Sequence, residues 1–344
     1  MNKFSETIEK LIARKNLSEG EAYGSMEAIL AGSVPPAQIA AFLVTLRAKG
    51  ETADEMVGFA KAMRESITVV RADADIVVDT CGTGGDGKGT FNISTASALV
   101  VAGAGYCVAK HGNRSISSAS GSADVLEALG VRIDLPKESA EKLLREVGIA
   151  FLFAPLYHPA MKHAAQVRRE LGVRTIFNLL GPLVNPAQAN AQVIGVPRKD
   201  LVPVMAKVLQ KLNIGKKTAG MIIHEEGHDE IVLAGGGIIS LVHGGKIKSS
   251  RISPKDLGLR KSKPQALKGG NAAENARILI DLLAGKLPDL LEVVAANAGL
   301  AIYAAEIIKS AKITKPQAVR IARESIVSGR ARMKLDQLIS RSKE

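Results

Sequence analysis

The chain has no tryptophan, and aromatic residues make up only 3% of it. That leaves little material for the stacking platforms on which single-stranded nucleic acids are read. Its two cysteines, Cys81 and Cys107, have neither the number nor the spacing of a disulfide framework. Their apolar, strand-like contexts predict buried thiols in a reducing compartment. The longest uncharged run, Gly89 to Ala109, is broken by Gly, Ser, Thr and Asn. It reads as a core helix followed by a strand, not as a membrane span. No secretory leader is visible, because MNKFSETIEKLIARKN has the pattern of a charged amphipathic helix. Internal repeats and low-complexity tracts are missing too. These absences predict a soluble, cytoplasmic protein. Its 344 residues, 46% of them apolar, exceed the size at which a single core usually divides.

What the chain does have is a stretch rich in glycine and hydroxyl groups, from Asp79 to Gly130. It is entered through DIVVDT (Asp75–Thr80), an apolar centre bounded by polar residues that predicts a buried strand. Gly82, Gly84, Gly85, Gly87 and Gly89 follow. Without Cβ atoms, their backbone N–H groups can close on a ligand, which is a recipe for holding phosphate. Asn92, Ser94 and Thr95 are good helix N-cap types ahead of an Ala/Leu/Val helix, and a free helix N-terminus is a second anion site. YCVA (Tyr106–Ala109) predicts another buried strand, which delivers Lys110, His111, Asn113 and Arg114. Two anion cradles and a cationic cluster at strand ends suggest a ligand with more than one phosphate. The net charge of +12 attracts polyanions in general, a pyrophosphorylated sugar as well as nucleic acid. Two familiar phosphate motifs fail here. Gly82-x-Gly84-x-x-Gly87 matches the dinucleotide fingerprint by letter, but the helix starts after the glycines and Ala102 to Cys107 supplies no acid. No Gly-Lys-Ser/Thr closes a Walker loop.

Residues 1–68 read as four helices. Ser18 with Glu21 and Thr52 with Glu55 form capping-box patterns, and Pro35-Pro36 opens a helix that Gly50 stops. From Asp75 the text alternates strand, loop and helix, including the helix SADVLEALG (Ser122–Gly130), and so predicts a largely parallel sheet flanked by helices. VRIDL (131–135), IAFLFAP (149–155), AQVIGV (191–196), TAGMIIH (218–224), EIVLAG (230–235) and GIISLVHGG (237–245) are the further strand candidates. Two helical pieces interrupt them between His158 and Leu183, and 198–212 is another helix. From Gly270 onward the chain reads as helical, with AANAGLAIYAA too apolar all round to lie on the surface. The Lys/Arg scatter from Lys309 to Lys343 is interleaved with apolar residues, as on a solvated helix face.

Outside the central stretch, the adjacent acids Asp229 and Glu230 stand in a turn after MIIH. Mg²⁺ favours one or two carboxylates plus substrate phosphates, though adjacent acids commonly mark a surface turn. The same region spells His224-Glu225-Glu226-Gly227-His228, the letters of a zinc-protease motif. That chemistry needs a helix, and this segment lies between apolar strands with a glycine inside it. His158 and His163, five residues apart, would point about 140° apart on a helix and are expected to be packing or surface groups. Arg168 and Arg169 read as exposed helix charges.

GTGGD (Gly82–Asp86), NIST (Asn92–Thr95) and KHGNRS (Lys110–Ser115), followed by HPAMKHAAQVRRELGVRTIFNLLGPLVNP (His158–Pro186) and Asp229-Glu230, resemble the anthranilate phosphoribosyltransferase family. The resemblance runs over essentially the whole chain. It implies a small helical domain at 1–70, onto which 158–183 packs back, and an α/β domain at 71–344 that binds phosphoribosyl diphosphate. It implies transfer of a phosphoribosyl group from 5-phosphoribosyl 1-diphosphate to anthranilate, in tryptophan biosynthesis, with Mg²⁺ as cofactor. The residues implied for the diphosphate substrate are Gly82, Gly85, Asp86, Thr90, Asn92, Ser94, Thr95, Lys110, Ser117, Ser118 and Ser122. Ala119 stands where relatives carry a longer residue. Gly82, His111, Asn113 and Arg168 are implied for anthranilate, and Ser94, Asp229 and Glu230 for the metal. His228, beside the metal acids, departs from the family's usual residue. A homodimer through the helical domain is implied as well, and no dedicated acid or base is needed, because an aromatic amine is already neutral. Two rivals differ in sequence. A pyrimidine nucleoside phosphorylase of the same fold would carry a KHS-type start where DTCGTGGD stands. A nucleic-acid-binding relative could dispense with Asp229, Glu230 and Arg168, all of which are present.

Overall fold

The computed structural model describes residues 3–115, 119–215 and 217–344. It opens with four helices: α1 (Lys3–Ile12), α2 (Glu19–Leu30), α3 (Pro36–Lys49) and α4 (Ala53–Glu65). Both expected capping boxes form, at Ser18/Glu21 and Thr52/Glu55, and Gly50 ends α3. Glu55 does more than cap. Its buried carboxylate also accepts the Leu17 N–H (2.8 Å) and pairs with the buried Lys49 (3.0 Å), so one acid ties three segments together.

The chain then alternates through β1 (Val77–Gly82), α5 (Ile93–Gly103), β2 (Cys107–Gly112), α6 (Ser122–Ala128), α7 (Lys137–Glu146) and β3 (Ile149–Phe153). The short α8 (Ala154–Tyr157), α9 (Lys162–Leu171) and α10 (Ile176–Leu180) come next. Sheet text resumes with β4 (Ala191–Gly195), α11 (Leu201–Leu212), β5 (Ala219–Glu225), β6 (Gly237–His243) and β7 (Lys246–Ile252). The chain closes with α12 (Ala272–Leu283), α13 (Pro288–Ile308), α14 (Lys315–Val327) and α15 (Arg330–Arg341). The sheet order is β3-β2-β1-β4-β5-β6-β7. Pairing is parallel from β3 to β5 and antiparallel for the last two strands.

Strand periodicity sorts two cores onto the two faces of this sheet. Val193, Met221 and Ile223 join the core that holds α5, α13 and α14, whereas Ile194 and Ile222 join α1–α4 and α11. Ala164 and Val167 of α9 and Ile176, Phe177 and Leu180 of α10 belong to that second, helical core. Helix α13 is long and apolar enough to cross a membrane, but 78% of its apolar stretch is buried, so it serves here as the central helix of the first core.

Two expected strands do not form, and one strand forms that was not expected. Val131, Ile133 and Leu135 are buried alternately as VRIDL suggests, but no strand lies beside them. The Arg132 N–H goes to Ser342 Oγ (3.0 Å) and the Leu135 carbonyl to the Tyr157 hydroxyl (2.8 Å). EIVLAG is not a strand either, because its backbone wraps around a carboxylate. Buried Glu225 accepts the N–H groups of Val232 (2.8 Å), Leu233 (3.0 Å), Gly235 (3.0 Å) and Gly236 (3.2 Å). Conversely, β7 forms where the sequence pattern predicts no strand. It is an exposed edge strand carrying Lys246, Lys248 and Arg251, and the positive φ of Gly244 and Gly245 makes the tight hairpin that forms it.

Replacing Glu225 by Ala strands four inward-facing N–H groups at once. We expect a loss of about 3 kcal/mol or more in urea unfolding, with Glu225→Gln intermediate because one acceptor oxygen survives.

Candidate active site

β1 ends at Gly82, and the chain turns back over the carboxyl ends of the parallel strands, where ligands of open α/β sheets bind. Two glycines there are required by close approach. A Cβ on Gly82 would lie 2.1 Å from Asp229 Oδ2, and one on Gly85, at φ +74°, would meet Arg174 Nη1. The Gly84 N–H donates to Asp229 Oδ2 (2.7 Å) and the Thr83 N–H to the Gly195 carbonyl (2.9 Å). Asp229 and Glu230 are aimed from below. Asn297 of α13 holds both backbone polar groups of Ile231, at 3.0 and 2.8 Å, and the Glu225 nest fixes the segment beyond.

The turn brings Asp86, Asp229 and Glu230 together, with one oxygen of each within 4.8 Å of the others. Burial, then the neighbouring Asp86, pushes Asp229 up to about 6. Burial, then Asp229 and Asp86, pushes Glu230 well above the usual carboxylate range. One oxygen of Asp86 is buried with no hydrogen-bond partner among the described residues. Thr90 Oγ1 lies 3.5 Å from Glu230 Oε2, and the Ser94 backbone opposes the rise of the same carboxylate. Crowded, desolvated carboxylates with an unsatisfied oxygen fit a hard divalent cation. Asp86, expected only beside the diphosphate, therefore stands with Asp229 and Glu230, the pair expected to hold the metal.

Asn92 stands at the N-cap position of α5 but does not cap it. Its amide instead donates to the Ser120 carbonyl (3.2 Å) and accepts from Asn275 (3.0 Å). Thr95, in the first turn of α5, is buried with its hydroxyl unpartnered among the described residues. β2 runs on to Gly112, beyond the expected end at Ala109, so Lys110 and His111 are buried strand residues. Lys110 Nζ is committed to the Thr80 carbonyl (2.6 Å). Arg114 pairs with Asp124 (3.0 Å) and Glu127 (2.8 Å). Asn113 is exposed, and its side chain accepts the Arg114 N–H. Ser122 opens α6 against Gly112. Ser117 and Ser118 lie outside the described residues.

On the side toward the helical layer, His111 Nδ1 is 3.2 Å from the Gly181 carbonyl and its Nε2 is 3.1 Å from His158 Nε2. Burial holds both imidazoles down, His111 to about 3 and His158 to about 4, so both rings are neutral. His163 instead packs its ring against Gly32. Arg168, in the last turn of α9, lies over the Phe177 ring (5.0 Å), and desolvation lowers its pKa. No hydrogen bond or ion pair engages its guanidinium among the described residues. The zinc-protease letters do not converge: His224 Nδ1 faces the Val196 carbonyl (2.9 Å), His228 Nδ1 the Glu225 carbonyl (3.1 Å), and Glu225 is the nest acid. Cys81 and Cys107 are free and only partly buried. Arg174, inside the His158–Pro186 motif but given no role from sequence, also reaches the glycine loop, where its guanidinium meets the Thr83 and Gly84 carbonyls.

A family model described as the glycosyl transferase family a/b domain matches residues 74–332, and that family's helical bundle domain matches 5–67. Anthranilate phosphoribosyltransferase of Moorella thermoacetica is 48% identical over 97% of this chain and 96% of its own length. That of Anaeromyxobacter sp. strain K is 50% identical over 97% of each. The chain belongs to the anthranilate phosphoribosyltransferase family. A solved family member from Thermus thermophilus superposes with a TM-score of 0.90 at 42% identity, covering 98% of this chain and 99% of that one. The family member from Saccharomyces cerevisiae, solved in complex with PRPP and Mg, gives 0.87 at 27% identity, over 99% and 98% of the two chains. The helical layer and the mostly parallel sheet expected from sequence are the architecture of this family.

The acid cluster makes a pH-dependent prediction. Asp229 binds a proton more tightly folded than unfolded, so its contribution to stability is full below 3.8 and is lost as pH rises through about 6. Metal-free protein should therefore lose melting temperature across that window relative to Asp229→Asn. Mg²⁺ should restore it above the window in wild type only, as read by thermal shift with EDTA or Mg²⁺.

Proposed function

We propose that this protein transfers the phosphoribosyl group of 5-phosphoribosyl 1-diphosphate to the amine of anthranilate. The products are N-(5-phosphoribosyl)anthranilate and pyrophosphate, and the reaction is the second step of tryptophan biosynthesis from chorismate. The observation that carries the reading is the carboxylate cluster of Asp86, Asp229 and Glu230 under a glycine loop. Such a site makes sense only when a cation and an anion of several charges fill it together.

In this reading Asp229 and Glu230, with Asp86 and Ser94 beside them, hold Mg²⁺, which when bound neutralises charge on the leaving diphosphate. Gly82, Gly85, Asp86 and Thr90 line the diphosphate. Asn92, Ser94 and Thr95 take the sugar and its phosphate, with Lys110, whose ammonium also serves the Thr80 carbonyl, and Ser122 at the start of α6 beside them; Ser117 and Ser118, expected there too, lie outside the described residues. The unpartnered hydroxyl of Thr95 supports that placement. Arg168 takes the anthranilate carboxylate, with Gly82, Asn113 and His111 around the ring. A buried guanidinium stacked on Phe177 and lacking a counter-ion suits a planar carboxylate.

The bond from C1′ to the diphosphate oxygen breaks as the C1′–N bond forms, and the amine sheds one proton. Positioning and fixed dipoles provide the acceleration. The acceptor amine is neutral already, and the neutral His111 and His158 rings add no competing positive charge beside it. Exposed Ile12 and Val44, at the end of α1 and on α3, support a homodimer through the helical layer. A cytoplasmic setting fits the two free thiols.

Pyrophosphate release from phosphoribosyl diphosphate should require anthranilate and stop on addition of EDTA. Removing a charge-assisted, two-pronged contact costs about 3 kcal/mol. Arg168→Ala should therefore raise the KM for anthranilate by about 100-fold, with the KM for the diphosphate little changed. Release that ignores anthranilate would move the acceptor assignment elsewhere.

A further inference from the structure

The glycine loop is built around a side chain to which the proposed function gives no role. Arg174 donates through Nη1 to the Gly84 carbonyl and through Nη2 to the Thr83 carbonyl (3.1 Å). Its Nη1 fills the space a side chain at position 85 would need, 0.8 Å from where that Cβ would stand. Its own carbonyl is held by Arg47 Nη1 of α3. The loop is therefore fastened, through one residue, to the helical layer.

The direction of those bonds matters. In a trans peptide the C=O and the following N–H point opposite ways, and no cis bond occurs among the described residues. With the Thr83 carbonyl on Arg174, the Gly84 N–H must face away, and it does, onto Asp229 Oδ2 at 2.7 Å. With the Gly84 carbonyl also on Arg174, the Gly85 N–H must face away too, and it has no hydrogen-bond partner among the described residues. The guanidinium takes the loop's acceptors and leaves its donors to the acidic side, where a diphosphate and its cation belong. Arg168 sits six residues earlier, on the other side of the Gly172 turn that ends α9.

We infer that Arg174 is a positioning residue: by gripping two carbonyls it aims the Gly84 N–H at Asp229 and the Gly85 N–H at the diphosphate. The inference rests on the proposed function and deepens it, since it makes a residue of the acceptor-side turn set the geometry of the donor-side loop.

The test is steady-state kinetics for both substrates on Arg174→Ala, Arg174→Lys and Arg47→Ala, with Mg²⁺ thermal-shift titrations of the same proteins. Losing two charge-assisted hydrogen bonds should raise the KM for phosphoribosyl diphosphate about tenfold or more and weaken the Mg²⁺ response. The KM for anthranilate should stay within about twofold, since Arg168 is untouched. Arg174→Lys should recover little, because one ammonium lacks the guanidinium fork, and Arg47→Ala should shift the same parameters less. In a double-mutant cycle, Gly85→Ala should cost less in the Arg174→Ala background, where the clash is gone. A lowered melting temperature with both KM values unchanged, or equal changes in both, would overturn the inference in favour of a simple brace. Wild-type protein inactive with anthranilate would overturn the proposed function itself, a separate result visible before any variant is made.

Discussion

Three carboxylates held within 4.8 Å of one another in a turn repel each other, and Asp229 at their centre is buried. No fold gains stability from that arrangement alone, so the surroundings of the cluster read as a set of accommodations. Gly82 has no side chain where Asp229 Oδ2 approaches, and Gly195 none where the Asp229 carbonyl does. Backbone dipoles from Gly84 and Ser94 supply partial positive charge that never titrates. Asn297 and the Glu225 nest hold the turn to the sheet and to α13, so that the repulsion cannot relax by moving the chain. Strain kept in place by surrounding structure is typical of a site that waits for its ligand.

The cations tell the complementary story. A net charge of +12 suggests abundant positive charge for a phosphate ligand, yet three basic side chains around the site are already engaged. Lys110 serves the Thr80 carbonyl and offsets buried Asp79, while Arg114 braces α6. Arg174 serves the loop backbone. Arg168 alone among these carries no anionic or hydrogen-bonding partner in the described residues, and it is the one proposed for the acceptor carboxylate. Specific charge at the pocket is thus scarce and placed, and the global surplus bears on long-range attraction only.

The glycine loop, the capping boxes, α13 and the acid pair were legible because each rests on local chemistry: φ freedom, side-chain caps, all-round apolarity, adjacent charges. Apart from β7, which a local glycine hairpin makes, the errors came from partners distant in sequence. VRIDL and EIVLAG carry strand-like text, and what decides against them is Ser342, Tyr157 and Glu225, none adjacent to the backbone it binds. The β2 boundary slipped because Lys110 and His111 look like loop residues until Thr80, Gly181 and His158 are placed around them. Asp86 could be recognised as a loop acid, but its place beside Glu230 depends on a closure between residues far apart in sequence. Arg174 stands inside the His158–Pro186 motif, but its role was not legible, since its partners are backbone carbonyls, which every sequence has.

Helices α9 and α10 lie in sequence between β3 and β4, yet their apolar residues complete the core of α1–α4. The chain therefore leaves the helical layer after α4 and comes back to it before β4, so that layer is sewn from two threads. A polypeptide ending near residue 70 would lack Val167, Ile176, Phe177 and Leu180 and would present the surface they cover to water. The first helices cannot settle fully until more than half the protein has been made. During synthesis the layer that carries Arg168 is thus finished late, after the glycine loop that follows β1 has already emerged.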